Sequence, residues 1–243
     1  MSPKFKLDNK VAVISGGTGV LGSTIALSFV KSKVKVVILG RNEKKIISTV
    51  QKLKKDGGDV IGFVCDVVSK KSLKNVSVEI LKKFRKIDIL LNAAGGNLPG
   101  ATIGDNQDIF DVSMGEFSKV SEINLNGSVL PSLVFGEIMA KQKSGVIINY
   151  SSMTADRVIS RVVGYSVSKA ALENFTKWMS VEMALKFNGK IRVNAIAPGF
   201  FIGNQNRDLL LKEDGSYTDR AKAIIKNTPM KRFGSPDELN GAI

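Results

Sequence analysis

In the run "GYSVSK", Tyr165 and Lys169 stand four residues apart, and Ser152 lies thirteen residues before the tyrosine. On a helix, positions i and i+4 share one face. A phenol can protonate the alkoxide that forms when hydride adds to a carbonyl. Free tyrosine titrates near 10, too high for good acid–base work at neutral pH. A neighbouring lysine cation and the positive charge of an oxidised nicotinamide would favour the phenolate and lower that value. A serine hydroxyl could hydrogen-bond the substrate oxygen where charge develops. The same three types also suit a serine cap, a helix-face tyrosine and a solvated lysine, so their position has to decide.

A second group that could do chemistry is "SGGTGVLG", comprising Ser15, Gly16, Gly17, Thr18, Gly19, Val20, Leu21 and Gly22. Gly17, Gly19 and Gly22 satisfy G-x-G-x-x-G after an apolar run and at the opening of a helical pattern. Exposed N–H groups and the helix dipole there favour a pyrophosphate. At the end of the next apolar run, Gly40 stands where a carboxylate would read a ribose 2′-hydroxyl, and Arg41 and Asn42 follow. An arginine there can pair with a 2′-phosphate, so NADP(H) is favoured and NAD(H) remains open.

These groups need a frame. Short β-branched runs at 10–16, 33–40, 59–66, 86–95, 145–152 and 190–199 alternate with helical patterns near 20–32, 43–56, 70–85, 115–142 and 161–187. Strands separated by helices imply parallel units with right-handed crossovers. Their near-continuous apolar character fits strands covered on both faces. The expected fold is α/β: one Rossmann-type doubly wound sheet in the order 3-2-1-4-5-6, as a single domain over 1–243 with a substrate lid near 200–230. In such a sheet the segments after strands one, four, five and six converge beyond the carboxyl ends. Here they are "SGGTGVLG", "NAAGGN", "SSMTADR" and "APGFFIGNQNR".

Composition narrows the classes. The 243 residues carry no histidine, which excludes a His-based triad and argues against a Cys/His zinc site. Cys65 alone excludes an internal disulfide and fits a reducing compartment, so a cytoplasmic location is expected. No apolar run reaches the roughly 18 to 20 residues that span a bilayer, and no membrane role is expected. The net charge is +14, but 28 of the 36 basic residues are scattered lysines without aromatic interleaving. Nucleic acid is therefore not expected as a partner, whereas an anionic small substrate would suit the charge.

The ordered set of motifs resembles the short-chain dehydrogenase/reductase family from about residue 8 to the end. It comprises the glycine loop, "CDV" with Asp66, "NAAG" at 92–95, "NLNG" at 124–127, Ser152, Tyr165, Lys169 and "PG" at 198–199. The resemblance implies catalysis by Asn124, Ser152, Tyr165 and Lys169. Asn124 would support a water linking Lys169 to bulk solvent, and Lys169 would also bind the nicotinamide ribose. Asp66 and Val67 would touch adenine. Asn92, Ala93, Ala94 and Gly95 would line the cofactor, and Pro198, Gly199 and Ile202 would lie by the nicotinamide.

More narrowly, "AAGGNLP", "INYSSMTADR" and the stretch from "APGFF" to "SPDEL" resemble the D-mannonate oxidoreductase (fructuronate reductase) group. A sugar acid needs a cation for its carboxylate and amides for its hydroxyls. Arg157 and Arg161 are the candidate cations. Asn97, Asn204, Gln205, Asn206 and Arg207 are polar candidates from neighbouring loops. A keto-gluconate, steroid or 3-oxoacyl thioester reductase, or a non-catalytic dinucleotide-binding protein, are the alternatives. The polar "GNQNR" argues against a greasy substrate.

Three departures stand out. Val20 occupies the middle glycine of the family's usual T-G-x-x-x-G-x-G. Gly203 stands where the nicotinamide loop usually has threonine. Family members continue past "DELNGAI" through a helix and a seventh strand, and the resemblance implies that this strand is missing here. An uncovered edge, lower stability and possible loss of activity are then expected, and a homo-oligomer (dimer or tetramer) is expected if the C-terminus is complete.

Overall fold

The computed structural model describes residues 6–104, 106–203 and 206–243. Six strands form one parallel sheet: β1 (Val11–Ser15), β2 (Lys35–Gly40), β3 (Val60–Val64), β4 (Ile89–Asn92), β5 (Gly145–Tyr150) and β6 (Ile191–Ile196). Their order is β3-β2-β1-β4-β5-β6, as the alternation of patterns predicts. Val11 to Ile14 and Val36 to Leu39 are fully buried, which is why these runs are apolar at every position rather than at alternate ones. One apolar layer joins Val13, Leu39, Leu73, Leu90, Phe135 and Ile147 on one side of the sheet. The other joins Ile14, Ile25, Phe29, Ile38, Leu91 and Ile148.

The helices that connect the strands start where polar side chains satisfy their first N–H groups. α1 spans Val20–Lys31, α2 Glu43–Lys55, α3 Lys70–Phe84, α4 Met114–Ser121, α5 Gly127–Gln142 and α6 Val163–Lys186. Asn42 caps α2 through the Lys45 N–H at 2.9 Å, and Ser69 caps α3 through that of Ser72 at 3.2 Å. The helical pattern at 115–142 is divided between α4 and α5 by a π-helical turn over Glu122–Asn126. Such π turns occur mostly as single turns inserted within α-helices.

Beyond β6, the short helices α7 (Arg207–Leu210) and α8 (Asp219–Lys226) pack on a small apolar cluster of their own, built from Leu210, Ala221 and Phe233 with Phe200, Ile202, Ile224 and Ile225. This segment is tied back by a bridge between Phe201 and Gly234. The final segment forms a 3-10 turn over Pro236–Leu239 rather than a longer helix, held by paired Arg232–Glu238 contacts of 2.6 and 2.8 Å. No helix among the described residues is long and apolar enough to cross a membrane.

Candidate active site

The end of β5 and the first turns of α6 form the centre of the site. Ser152 continues β5 in an extended conformation, and its Oγ accepts the Thr154 N–H at 3.2 Å. That contact leaves the hydroxyl hydrogen available, and the Ser152 side chain is close enough to the Tyr165 phenol to favour its ionised form. Lys169 lies one turn beyond Tyr165 and is only 4% exposed. Its Nζ donates to the Tyr150 carbonyl at 2.8 Å and sits 5.5 Å from the centre of the Tyr165 ring. The spacing in "GYSVSK" does put both side chains on one face, with Ser152 opposite.

The electrostatics differ from the sequence-based expectation. Burial raises the Tyr165 phenol above its ordinary value, and the Ser152 hydrogen bond offsets this only in part. Burial also lowers Lys169 to about 8. Removing both groups from water disfavours their charged forms, and in the protein alone this outweighs the stabilisation of phenolate expected from the lysine. Tyr165 is therefore neutral and carries its phenolic proton at pH 7.

Asn124 is fully buried in the π turn. Its amide donates to the carbonyls of Gly96 at 2.7 Å and Val120 at 2.8 Å, and its Oδ1 accepts the Gly96 N–H at 3.0 Å. A Cβ on Gly95 would lie 2.6 Å from Asn124 Oδ1 and 3.5 Å from Lys169 Nζ. The glycine thus fits between the two side chains. Asn124 locks the loop after β4, which leaves only the second lone pair of Oδ1 on this side chain for a water.

The glycine loop closes tightly. Gly16 has φ +68°, and a Cβ there would lie 2.6 Å from the Ala93 carbonyl oxygen. A Cβ on Gly22 would lie 2.5 Å from the Gly16 carbonyl oxygen, and one on Gly17 would press on Ile38 at 2.9 Å. Gly19 is different: a Cβ there would meet only the Gly16 carbonyl oxygen, at 3.3 Å. It caps α1 in an extended conformation, so the N–H groups of Val20, Leu21 and Gly22 form the first helical turn, which has no intrahelical acceptors. This arrangement of spare donors beside a tight, glycine-built turn fits a dinucleotide pyrophosphate. Val20 is no defect in it, because its side chain points toward Gly203 beyond β6, 4.0 Å from where a Cβ on that glycine would sit.

Other expected contacts are redistributed. Ser15 is fully buried, and its Oγ and carbonyl accept the N–H groups of Ala94 and Ala93 at 3.3 and 3.2 Å. It braces β1 against β4, so its side chain faces the protein rather than a phosphate. The Asn92 amide points to Ser128, Ser132 and Asn149, at 2.8 to 3.2 Å, and ties β4 to α5 and β5. The Asn42 side chain is taken up as a cap, whereas Arg41 is exposed at the β2 end and Thr18 Oγ1 lies 3.6 Å from the Cβ position of Gly40. Asp66 is exposed and accepts the Val68 N–H at 3.2 Å, while Val67 is buried. The Pro198 carbonyl accepts the Met153 N–H at 3.4 Å, which brings Pro198 and Gly199 beside Ser152. Ile202 packs into the lid's apolar cluster.

The polar substrate candidates divide. Asn97 donates to Thr102 Oγ1 at 2.6 Å, and its buried Oδ1 has no protein partner. Arg161, at φ +79°, uses its backbone carbonyl and its Nε to hold Ile103, at 3.0 and 2.6 Å. Arg157 is 76% exposed and lies 3.6 Å from Asp156. Asn206 braces the segment beyond β6, accepting the Gly203 N–H at 2.7 Å and donating to the Phe201 carbonyl at 2.9 Å. Arg207 opens α7. Asn204 and Gln205 lie outside the described residues. Residue types alone do not reveal the Tyr150 carbonyl that holds Lys169 or the Thr154 N–H that holds Ser152. Both are main-chain groups, for which residue type carries no signal.

Fold and site together define a nicotinamide-dependent oxidoreductase on a doubly wound sheet. The short chain dehydrogenase family profile matches residues 10–213. The chain belongs to that family and is a dehydrogenase/reductase. It is similar to UxuB, an uncharacterized oxidoreductase of Bacillus subtilis, with 42% identity over 98% of this chain and 87% of the relative. It is also similar to the 2-dehydro-3-deoxy-D-gluconate 5-dehydrogenase of Pseudoalteromonas atlantica, 32% identical over 99% of this chain and 89% of that one. A solved structure of a candidate D-mannonate oxidoreductase from Haemophilus influenzae, with bound NAD, superposes with a TM-score of 0.90. The two are 36% identical over 98% of this chain and 88% of that one.

Proposed function

We propose that this protein transfers hydride reversibly between a nicotinamide dinucleotide and the carbonyl or secondary alcohol of a sugar acid of the D-mannonate/D-fructuronate type. The observation that carries the reading is the meeting of Ser152, Tyr165 and buried Lys169 at the carboxyl end of β5. When bound, the dinucleotide supplies or takes up the hydride. In reduction, Ser152 donates a hydrogen bond to the substrate oxygen, and Tyr165 gives its phenolic proton to the alkoxide as it forms. Lys169 supplies positive charge beside the phenol once that proton has left. The glycine loop, with Ala93 to Gly95 and Pro198–Gly199, holds the dinucleotide. Asn97, with its unpartnered buried oxygen, is the polar candidate we favour for a substrate hydroxyl, and Arg157 and Arg161 are the cations for its carboxylate.

The sugar-acid class is supported by the names of two similar proteins and by the polar loops around the site. On the cofactor, Gly40 and exposed Arg41 suit a 2′-phosphate, whereas the similar Haemophilus protein holds NAD. Arg41→Ala raising KM for NADPH but not for NADH is the expected result if Arg41 reads the phosphate. We further propose a single domain with residues 200–230 as its lid, working as a homo-oligomer in a reducing, cytoplasmic compartment that suits the free, buried Cys65. The test of function is NADH and NADPH oxidation against a panel of keto-sugar acids. Turnover confined to steroid or 3-oxoacyl substrates would overturn the sugar-acid reading.

A further inference from the structure

Three consecutive residues at the end of β5 are each gripped by α6. The Tyr150 carbonyl takes Lys169 Nζ at 2.8 Å, the buried Ser151 donates through Oγ to Glu173 Oε1 at 2.7 Å, and the Ser152 side chain lies beside the Tyr165 phenol. The helix partners are 165, 169 and 173, at i, i+4 and i+8, so they stack along one face. Ser151 is also held from the other side, because its N–H donates to the Ile196 carbonyl of β6 at 2.8 Å. It is therefore the fixed point between the two residues that present the acceptor for Lys169 and the hydroxyl for Tyr165. We propose that Glu173 is a positioning residue: through Ser151 it sets the register of the β5 end on α6, and so the placement of Ser152 and Lys169 around the phenol. Glu173 touches neither Ser152 nor a reacting atom, and it acts only through its neighbour. This inference rests on the assignment of Ser152, Tyr165 and Lys169 made above.

The physical reason is leverage. Small misplacements of positioned groups cost catalysis about 100-fold per ångström. A charge-assisted hydrogen bond is stiff enough to prevent them. Glu173→Ala is expected to lower kcat roughly tenfold while the Kd for NADH or NADPH, whichever binds more tightly, changes less than twofold. Glu173→Gln, which keeps an acceptor of the same length, should restore most of the loss. Ser151→Ala should match Glu173→Ala, and the double variant should be no worse than either, because one interaction is removed in all three. A readout that needs no substrate is the ultraviolet difference titration of the Tyr165 phenol, measured against the Tyr165→Phe counterpart of each protein. Weakening the Ser152 contact should move it upward.

Wild-type kcat and an unmoved Tyr165 titration in Glu173→Ala would overturn the proposal. So would a loss of activity that matches, one for one, a loss of dinucleotide-binding capacity, since that is a folding defect. If Glu173→Ala does not fold, Ser151→Ala, which removes only a hydroxyl, puts the same question with the same two outcomes. Turnover retained in Tyr165→Phe would instead bring down the catalytic assignment itself. A dead Tyr165→Phe beside an unaffected Glu173→Ala would bring down this inference alone.

Discussion

The proposed catalytic centre and the proposed lid are built in opposite ways. Tyr165, Lys169 and Ser152 sit on the end of a central strand and on a 24-residue helix, with their polar atoms held by main-chain and side-chain partners inside the fold. The segment beyond β6 proposed as the lid has its own small core and two short helices, and Asn206 there holds Phe201 and Gly203. The contrast teaches where each kind of function resides. Proton transfer needs atoms fixed to within a fraction of an ångström, which strands and long helices provide. Substrate choice needs surfaces that can vary without disturbing that frame, which loops provide.

The sharpest way to break this division is Tyr165→Phe. It should lower turnover by about 10³-fold or more while leaving dinucleotide affinity within a few-fold, as checked by steady-state kinetics beside a fluorescence titration. Gly16→Ala should follow in size. A Cβ at φ +68° and 2.6 Å from the Ala93 oxygen displaces the loop, with a cost of about 2 kcal/mol or more in stability and a large loss of dinucleotide binding. Thermal melts and the same titration would reveal it.

Next comes pH. Lys169 is lowered to about 8, so kcat/KM for reduction should decline above that pH as its charge is lost, and Lys169→Met should remove the inflection. The same shift affects stability with a definite sign. Below about 8 the lysine is charged in both states, and the cost of burying the charge is fully present. Between 8 and the ordinary lysine range the unfolded chain binds more protons, so this residue's contribution to stability rises with pH. Urea melts of wild type and Lys169→Met across that window should diverge in this direction, and parallel curves would contradict the assignment. The smallest effects belong to the lid and rim. Asn206→Ala should raise KM for the sugar acid several-fold, with a stability loss of about 1 kcal/mol. Arg157→Ala, which removes an exposed cation proposed for the carboxylate, should raise KM for the sugar acid about twofold to threefold and leave kcat and stability nearly unchanged.

Much of the fold was legible because its signals are local. Six apolar runs between amphipathic stretches could form only a covered parallel sheet, and a strand, glycine turn and helix in sequence announced the cradle. The illegible parts were those that depend on which way a polar side chain turns. Asn92 and Ser15 sit inside motifs expected to line a cofactor, yet their side chains brace the sheet, because buried amides and hydroxyls find partners where the neighbouring elements bring them. Arg161 and Asn206 are of types that suit a sugar acid equally well as ligands or as loop clamps, and the structure employs them as clamps. Reading 115–142 as one helical pattern does not separate out the π turn that carries Asn124.

By itself, then, the sequence determined the order of elements, the glycine turn and the shared face of Tyr165 and Lys169, since each depends on neighbours within a few residues. Only the tertiary structure decided that Tyr150 and Ser151 meet Lys169 and Glu173 across separations of 19 and 22 residues. It also decided that the phenol is neutral and the lysine weakened as a base. Both of those states come from removal from water, which depends on what the completed fold packs around a group rather than on the residues beside it in the chain.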